Sequence, residues 1–302
     1  MSERPAELGG LADRWGLHGL HLVGRGLEFS VYRARGRDGR PVAVRLAHRR
    51  FDSNANDPQV DTRALLVQEY RIARHLAAQG LPVAEPMDLV LADEPTSPDA
   101  LLSAYVPDDA SRLDCFALGQ LLARLHRVPK PRLRPVAAQG APTASVITAR
   151  IRRRWTEIGR LVDDWPAPPD ASLIGGQLTS LTEDSLCHLD VRSANIRRRR
   201  GRTIALLDWS NALFGTPELE FGRLAEYARY PENELDLAAI RKGYARTATV
   251  PPDNDPCVMV CRLDAALMLA LVFLSEAPDP SRGRAAADRA RELAARTGVL
   301  HA

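Results

Sequence analysis

Lysine is almost absent from this sequence. Lys130 and Lys242 are the only two in 302 residues, and the remaining basic side chains are arginines apart from seven histidines. A chemistry that needs a buried lysine therefore has almost no candidate. With the abundance of Ala and Leu, this reads as a codon bias of the source genome. Cysteine is scarce too: Cys115, Cys187, Cys257 and Cys261 are scattered and form no Cys-x-x-Cys pair. Neither a disulfide framework nor a zinc site is supported. Cys257 and Cys261 share a helical face at i, i+4, but with no His or further Cys nearby they read as packing residues. Reduced thiols fit a cytoplasmic protein. Met1–Pro5 carries no apolar signal core. The longest apolar run, Ala265 to Leu274, is half of the roughly 20 residues that a bilayer needs. It reads as a buried helix, and no membrane association is expected. The net charge of +3 is too small to make nucleic acid the main partner.

What is present is a globular composition, 45% hydrophobic and 26% charged, with enough chain for one large domain or two packed lobes. Residues 19–47 alternate apolar and polar around glycines. They predict an antiparallel meander: Leu20 onward into a glycine turn, then Phe29–Ala34 and Pro41–Leu46 joined by the turn Arg37–Arg40. Residues 50–61 are polar without period and read as a mobile loop. A helix is expected from Thr62 to Gln79, closed by Gly80. Glu69 lies inside its apolar stripe. A charge there is costly unless paired, so Glu69 predicts a cationic partner. Leu81–Leu91 and Ala100–Pro107 read as further strands. Helices follow at Leu113–Arg127, Ser145–Asp164, Leu173–Leu181, Pro217–Tyr230, Glu232–Thr247, Cys257–Glu276 and Ser281–Thr297, interrupted only by a hairpin at 195–208. The expectation is an N-terminal nucleotide-binding lobe over 1–106, a hinge near 102–107, and a helical lobe over 107–302. The default ligand site is the cleft between them.

Four groups of residues could carry chemistry. Gly24 and Gly26 sit at the first strand turn, where glycine lets backbone N–H groups approach a phosphate; a plain β-turn has the same composition. Ser30 can add a hydroxyl or N–H where a third glycine could stand. Arg45 ends an apolar strand with Glu69 as its expected partner, which suits the phosphates of a nucleotide or a structural ion pair. Asp190, Asn195 and Asp208 surround two short apolar runs. Asp208 closes the strand Ile204–Leu207. An acid there beside an Asn can hold Mg²⁺, leaving Asp190 to receive a hydroxyl proton.

His188-Leu-Asp-Val-Arg-Ser-Ala-Asn195 followed by Leu206-Leu-Asp-Trp209 resembles the aminoglycoside phosphotransferase family, whose catalytic loop reads His-x-Asp-x-x-x-x-Asn and whose metal motif is Ile/Val-Asp-Trp/Phe. Leu125-His126 and Gln68-Glu-Tyr-Arg71 add to the likeness, which covers roughly residues 20–230. It implies an α+β, protein-kinase-like fold of two lobes: a small antiparallel β-rich N-lobe with one main helix, and a larger, mostly helical C-lobe. It also implies a small-molecule kinase using Mg²⁺ and ATP or GTP. By position, Asp190 is the expected catalytic base, Asn195 and Asp208 the metal ligands, and Glu69 the anchor of the phosphate-binding cation. Leu102–Val106, with Ser103 and Tyr105, is expected to meet the nucleobase, and His188 to brace its loop.

Three departures stand out. Arg45 replaces the kinase lysine, and the two are not equivalent at a phosphate. Phe29 takes the place of a third glycine. Gly215-Thr-Pro-Glu-Leu-Glu220 replaces Gly-Asp-Pro-x-x-Asp, with Glu220 supporting the loop. The run Arg197–Arg200 with Arg202 reads as a solvated turn. For the acceptor the clues conflict. Glu218, Glu220, Glu226, Glu232, Glu234 and Asp236 could attract a polycation, whereas the arginines of Ile151–Glu157 favour a neutral or anionic molecule. The leading acceptor is a hydroxyl of an antibiotic or secondary metabolite. A primary metabolite of the choline, homoserine or sugar kind, or a nucleotide-binding pseudokinase, is the alternative. A monomer or homodimer is expected.

Overall fold

A computed structural model describes residues 8–93 and 98–300; Met1–Pro5, read above for a signal core, lies outside them. In chain order come α1 (Gly9–Trp15), β1 (His18–Arg25), β2 (Phe29–Arg35), β3 (Pro41–Ala47), β4 (Phe51–Asp52), β5 (Val60–Asp61), α2 (Thr62–Ala78), β6 (Pro86–Val90) and β7 (Ala100–Ala104). Then follow α3 (Cys115–Leu125), α4 (Thr143–Ile158), α5 (Ala171–Gln177), β8 (Ser185–Cys187), β9 (Ile196–Arg199), β10 (Arg202–Leu206), β11 (Leu213–Gly215), α6 (Pro217–Tyr227), α7 (Leu237–Tyr244), α8 (Pro256–Leu271) and α9 (Pro280–Thr297). Two compact units result: Met1–Ser53, Gln59–Ser111 and Ile196–Ser210 form one, and Asn54–Pro58, Arg112–Asn195 and Asn211–Ala302 the other.

The first unit is built on an antiparallel sheet ordered β1-β2-β3-β7-β6. Period-two alternation sorts its side chains. Val42, Val44 and Leu46 of β3 pack with Leu102 of β7 and with Leu11 of α1. On the other face Phe29, Ala47 and Leu101 meet Leu66 of α2. Asp61 caps α2 by accepting the Ala64 N–H, and Gly80 ends it at φ 69°. The short helix α1 escaped the sequence reading, because two turns beginning Gly-Gly carry too little periodicity. The β9–β10 hairpin belongs to this unit: the Leu206 N–H donates to Pro82 O at 2.9 Å. Its arginine turn is largely the solvated surface expected, with Arg199, Arg200 and Arg202 exposed, and Arg198 is the exception. Arg198 is buried, and its Nη2 lies 3.3 Å from Asp108 Oδ2. The Arg200 N–H donates to Asp109 Oδ2 at 2.7 Å.

In the second unit α8 is buried nearly all round, as a helix apolar on every face must be. Pro256–Glu276, which ends in a π-helical turn, is long and apolar enough to cross a membrane, yet 72% of its most apolar window is buried. Ile147, Ile151 and Trp155 of α4, Leu263 and Leu267 of α8 and Leu293 of α9 share one core. The expected mobile loop at 50–61 is instead held in place. β4 pairs with β5 inside the first unit. In the second, Asn56 Nδ2 donates to Glu276 Oε1 at 3.0 Å and to Met268 O at 3.2 Å. Side-chain hydrogen bonds of this kind leave no periodic trace in a sequence.

Helices α3 and α7 touch through two glycines. A Cβ on Gly119 would stand 2.0 Å from Ile240 O, and one on Gly243 would stand 1.9 Å from Phe116 O. Both clashes are with main chain, which cannot swing aside. Gly243→Ala is therefore expected to cost about 1–3 kcal/mol, seen as a lower urea midpoint with an unchanged slope. An unshifted midpoint would mean that the helices separate freely.

Candidate active site

The first unit assembles one half of the expected constellation. Gly24 pairs with Val31 across β1 and β2, and the Gly26 N–H closes the turn on Phe29 O at 2.8 Å. Neither glycine has a positive φ, and a Cβ on either would find only ordinary contacts at 3.8–3.9 Å. Packing within the unit thus gives no reason for glycine at these positions. Ser30 is buried, with its hydroxyl 2.9 Å from His48 Nε2. His48 Nδ1 lies 3.0 Å from the Leu27 carbonyl and donates to it. The Ser30 hydroxyl thus also ties the glycine turn to the end of β3.

Arg45 stands where β3 faces α2. Nη1 donates to Glu69 Oε2 at 2.6 Å, and Nη2 donates to Asp208 Oδ1 at 3.0 Å and to Ser210 Oγ at 3.1 Å. Its guanidinium also lies 4.3 Å from the Phe29 ring centre. Glu69 thus has the cationic partner its position demanded. The planar fork of arginine serves two carboxylates at once, which one ammonium could not match in this geometry. Burial opposes the charge on Arg45, but Asp208 and Glu69 outweigh it and hold its pKa above the ordinary value. Burial, opposed by Arg45 and reinforced by Asp208, pushes Glu69 up to about 7. Asp208 is pulled down to about 2: burial would raise it, but Arg45 and the Ser210 hydrogen bonds prevail.

Asp208 has φ 64°, a left-handed backbone that costs a non-glycine residue about 1–3 kcal/mol and clusters at functional sites. Gln68 Nε2 clamps this bend by donating to Trp209 O and Ser210 O at 2.8 and 3.1 Å. The sequence reading assigned Gln68 no role beyond its place in the Gln68-Glu-Tyr-Arg71 motif and did not single out Ser210. Their only signal was adjacency to Glu69 and Asp208. Asp208 Oδ2 accepts no hydrogen bond from any described residue, which leaves it available as a hard oxygen ligand. Ser103 pairs with Ala43 and Pro86 in the sheet, and the Tyr105 N–H donates to Pro41 O at 3.1 Å.

The second unit assembles the other half. The β8–β11 pair, three residues a side and absent from the sequence reading, frames the loop carrying Asp190. Leu189 takes φ 61° just before it. Asp190 is buried; its Oδ1 accepts from Tyr227 Oη at 2.7 Å and Arg192 Nε at 3.0 Å. Its Oδ2 accepts from Asn195 Nδ2 at 2.6 Å. Asn195 Oδ1 accepts nothing from a described residue, a second available oxygen. Burial and the Asp190 charge keep the Tyr227 phenol well above its usual pKa, so it stays a donor. Tyr227 and Arg192 were not foreseen, since a lone aromatic on an apolar helix reads as core.

Glu220 accepts the His188 N–H at 2.6 Å and the Leu189 N–H at 3.0 Å. Burial would raise it, but His126 and these contacts hold it below its ordinary value. Its ligand atom and those of His126 and Cys187 lie within 4.8 Å of one another. Both carboxylate oxygens are taken by main chain, so the trio braces the loop. Three of the other acids after the metal motif are also engaged. Glu226 pairs with Arg229, Arg262 and Arg289, and Glu232 with Arg282. Asp236 caps α7.

The profile described as "Phosphotransferase enzyme family" matches residues 19–254. No curated protein matches the sequence. Among solved structures, aminoglycoside phosphotransferase APH(4)-Ia, as a thermostable mutant with ADP and hygromycin B, superposes with a TM-score of 0.66 at 18% identity, over 97% of this chain and 98% of its own. Aminoglycoside-3'-phosphotransferase of type VIII gives 0.58 at 19% identity over 87% and 97%. Macrolide 2'-phosphotransferase type I gives 0.55 at 19% identity over 96% and 98%. Identities this low speak for the fold, which is that of the aminoglycoside phosphotransferases.

Proposed function

Because this chain belongs to the phosphotransferase enzyme family, we propose that it moves the γ-phosphoryl group of ATP or GTP to a hydroxyl of a small molecule. The observation that carries this reading is the Arg45–Glu69–Asp208 network, in which one guanidinium is fixed by two carboxylates while Asp208 Oδ2 stays open. Asp208 and Asn195 would hold Mg²⁺ through these uncommitted oxygens, and their donor set suits a hard cation. When bound, the ion supplies charge neutralisation between phosphate oxygens.

The chain's own residues do the remainder. Gly24 and Gly26, for which packing gives no reason, admit a phosphate close to main chain. Ser30 and His48 keep that turn in place. Arg45 offers positive charge to the phosphates, and main chain around Ser103 and Tyr105 meets the base. Asp190 accepts the acceptor's hydroxyl proton, aimed by Tyr227, Asn195 and Arg192. The acceptor is an antibiotic or secondary metabolite, as for the relatives with antibiotic names, and the enzyme is cytoplasmic.

Mass spectrometry of reactions holding the protein, Mg²⁺, ATP or GTP and a panel of hydroxylated antibiotics and metabolites tests this. A product heavier by one phosphate group is expected from at least one acceptor. Failure of the protein to bind either nucleotide would overturn the reading.

A further inference from the structure

Helix α4 places Arg150, Arg153 and Arg154 on one face through i, i+3, i+4 spacing, and Arg223 of α6 joins them. Little opposite charge is at hand. Asp264 of α8 accepts Arg154 Nη1 on Oδ1 at 2.6 Å and Arg223 Nη2 on Oδ2 at 3.4 Å, so both of its oxygens are engaged. Asp57 is the second acid that Arg150 senses. Arg223 also senses Asp190 and Glu220, so the shortfall of negative charge falls on α4, where Asp264 and Asp57 are the acids that Arg150 and Arg154 sense. Arg153 turns to the Asn56 carbonyl, and its Nε and that of Arg154 are buried without a hydrogen bond to any described residue. Arg150 is half-buried and makes no hydrogen bond or contact ion pair with a described residue.

A desolvated cation without a counter-ion is costly, and the effect is visible here. Burial, only partly offset by Asp264, lowers the pKa of Arg150 and draws Arg154 down to about 10. The cluster also reaches the loop of Asp190 within the same unit. Arg223 senses the charge of Asp190 and stands 5.8 Å from the ring of Tyr227, the phenol bound to Asp190. Of the acids that might have drawn a polycation, Glu220, Glu226 and Glu232 are occupied by main chain or arginine and Asp236 caps α7, while Glu218 Oε2 is buried without a hydrogen bond to a described residue.

Building on the phosphotransferase reading above, we infer that Arg150 binds an anionic group of the acceptor, a carboxylate or a phosphate, so that the substrate is a hydroxylated acid and not a polycation. A guanidinium matches either group with two parallel hydrogen bonds. The anion completes the charge balance of the cluster, and its hydroxyl is directed to Asp190.

The test is a titration of nucleotide-loaded protein with D-glucose, D-gluconate, D-glucose 6-phosphate and hygromycin B, followed by thermal shift, on wild type, Arg150→Gln and Arg150→Lys. Arg150 makes no hydrogen bond or contact ion pair with a described residue that the variants would lose, and both are expected to keep the fold, checked by circular dichroism. The wild type is expected to bind gluconate or glucose 6-phosphate about tenfold or more tighter than glucose, and the two arms tell carboxylate from phosphate. That preference drops about tenfold or more in Arg150→Gln and is partly kept in Arg150→Lys. No anion preference, a preference untouched in Arg150→Gln, or tighter binding of hygromycin B would each overturn the inference. Phosphoryl transfer to a neutral or cationic acceptor would leave the phosphotransferase reading standing in that event. Absence of nucleotide binding would instead remove that reading, and the same titration on the free protein would still decide the role of Arg150.

Discussion

Replacing Asp190 with alanine is expected to lower kcat by about 10²–10⁴, the usual contribution of a positioned general base. The KM for nucleotide should change little, because the Arg45 network is assembled without Asp190. The geometry explains why the loss falls on turnover. Asp190 is buried, its preceding residue holds φ 61°, and three donors from Tyr227, Arg192 and Asn195 fix both oxygens. Such a carboxylate is preorganised to receive a proton and to point at one place. Steady-state kinetics with the acceptor found by mass spectrometry would read the effect, with circular dichroism to confirm the fold. Turnover within about threefold of wild type would remove Asp190 from the chemistry and leave it a loop brace, since an authentic base is worth far more.

Much of this constellation could be read from the sequence, for identifiable reasons. Glu69 was a charge inside an apolar stripe, and burial cost alone demanded the partner that Arg45 supplies. Asp190, Asn195 and Asp208 stood at the ends of short apolar runs with turn-like spacing. The sheet followed from alternation around glycines. What escaped was carried by contacts distant in sequence. Tyr227 lies 37 residues from Asp190, and Gln68 lies 141 from Trp209; neither leaves a local pattern. Within the arginine turn, which is otherwise exposed as its run of like charge suggests, Arg198 escaped because its partner Asp108 lies 90 residues earlier. The acids counted as attractors of a polycation show the same limit of a local reading. Composition counts Glu226 as one free acid, whereas folding surrounds it with three arginines.

Arg45→Met should destabilise the protein by about 3–5 kcal/mol at pH 8, since truncating one partner of a buried ion network leaves charge uncompensated. Here two carboxylates are left, with side-chain exposures of 15% for Glu69 and 30% for Asp208. The pH dependence distinguishes this origin from simple loss of packing. In the wild type Glu69 sits at about 7, above its ordinary 4.5, so its contribution to stability is complete below about 4.5 and is lost as pH rises through about 7. Asp208 sits at about 2, below its ordinary 3.8, so its contribution is present above 3.8 and is lost as pH falls through about 2. Removing Arg45 takes away the influence that lowers both groups, and each then holds a proton to higher pH. The variant's deficit is therefore largest at pH 8 and shrinks towards pH 5, where Glu69 is protonated and needs no counter-ion. Urea unfolding of both proteins across that range measures it. A deficit that is flat with pH would reduce Arg45 to a packing residue. One that grows on acidification would reverse the assignment of Glu69 as the strained partner. Arg45→Lys completes the series: a single ammonium keeps the charge but not the fork that spans Glu69 and Asp208, so its stability should fall between the two.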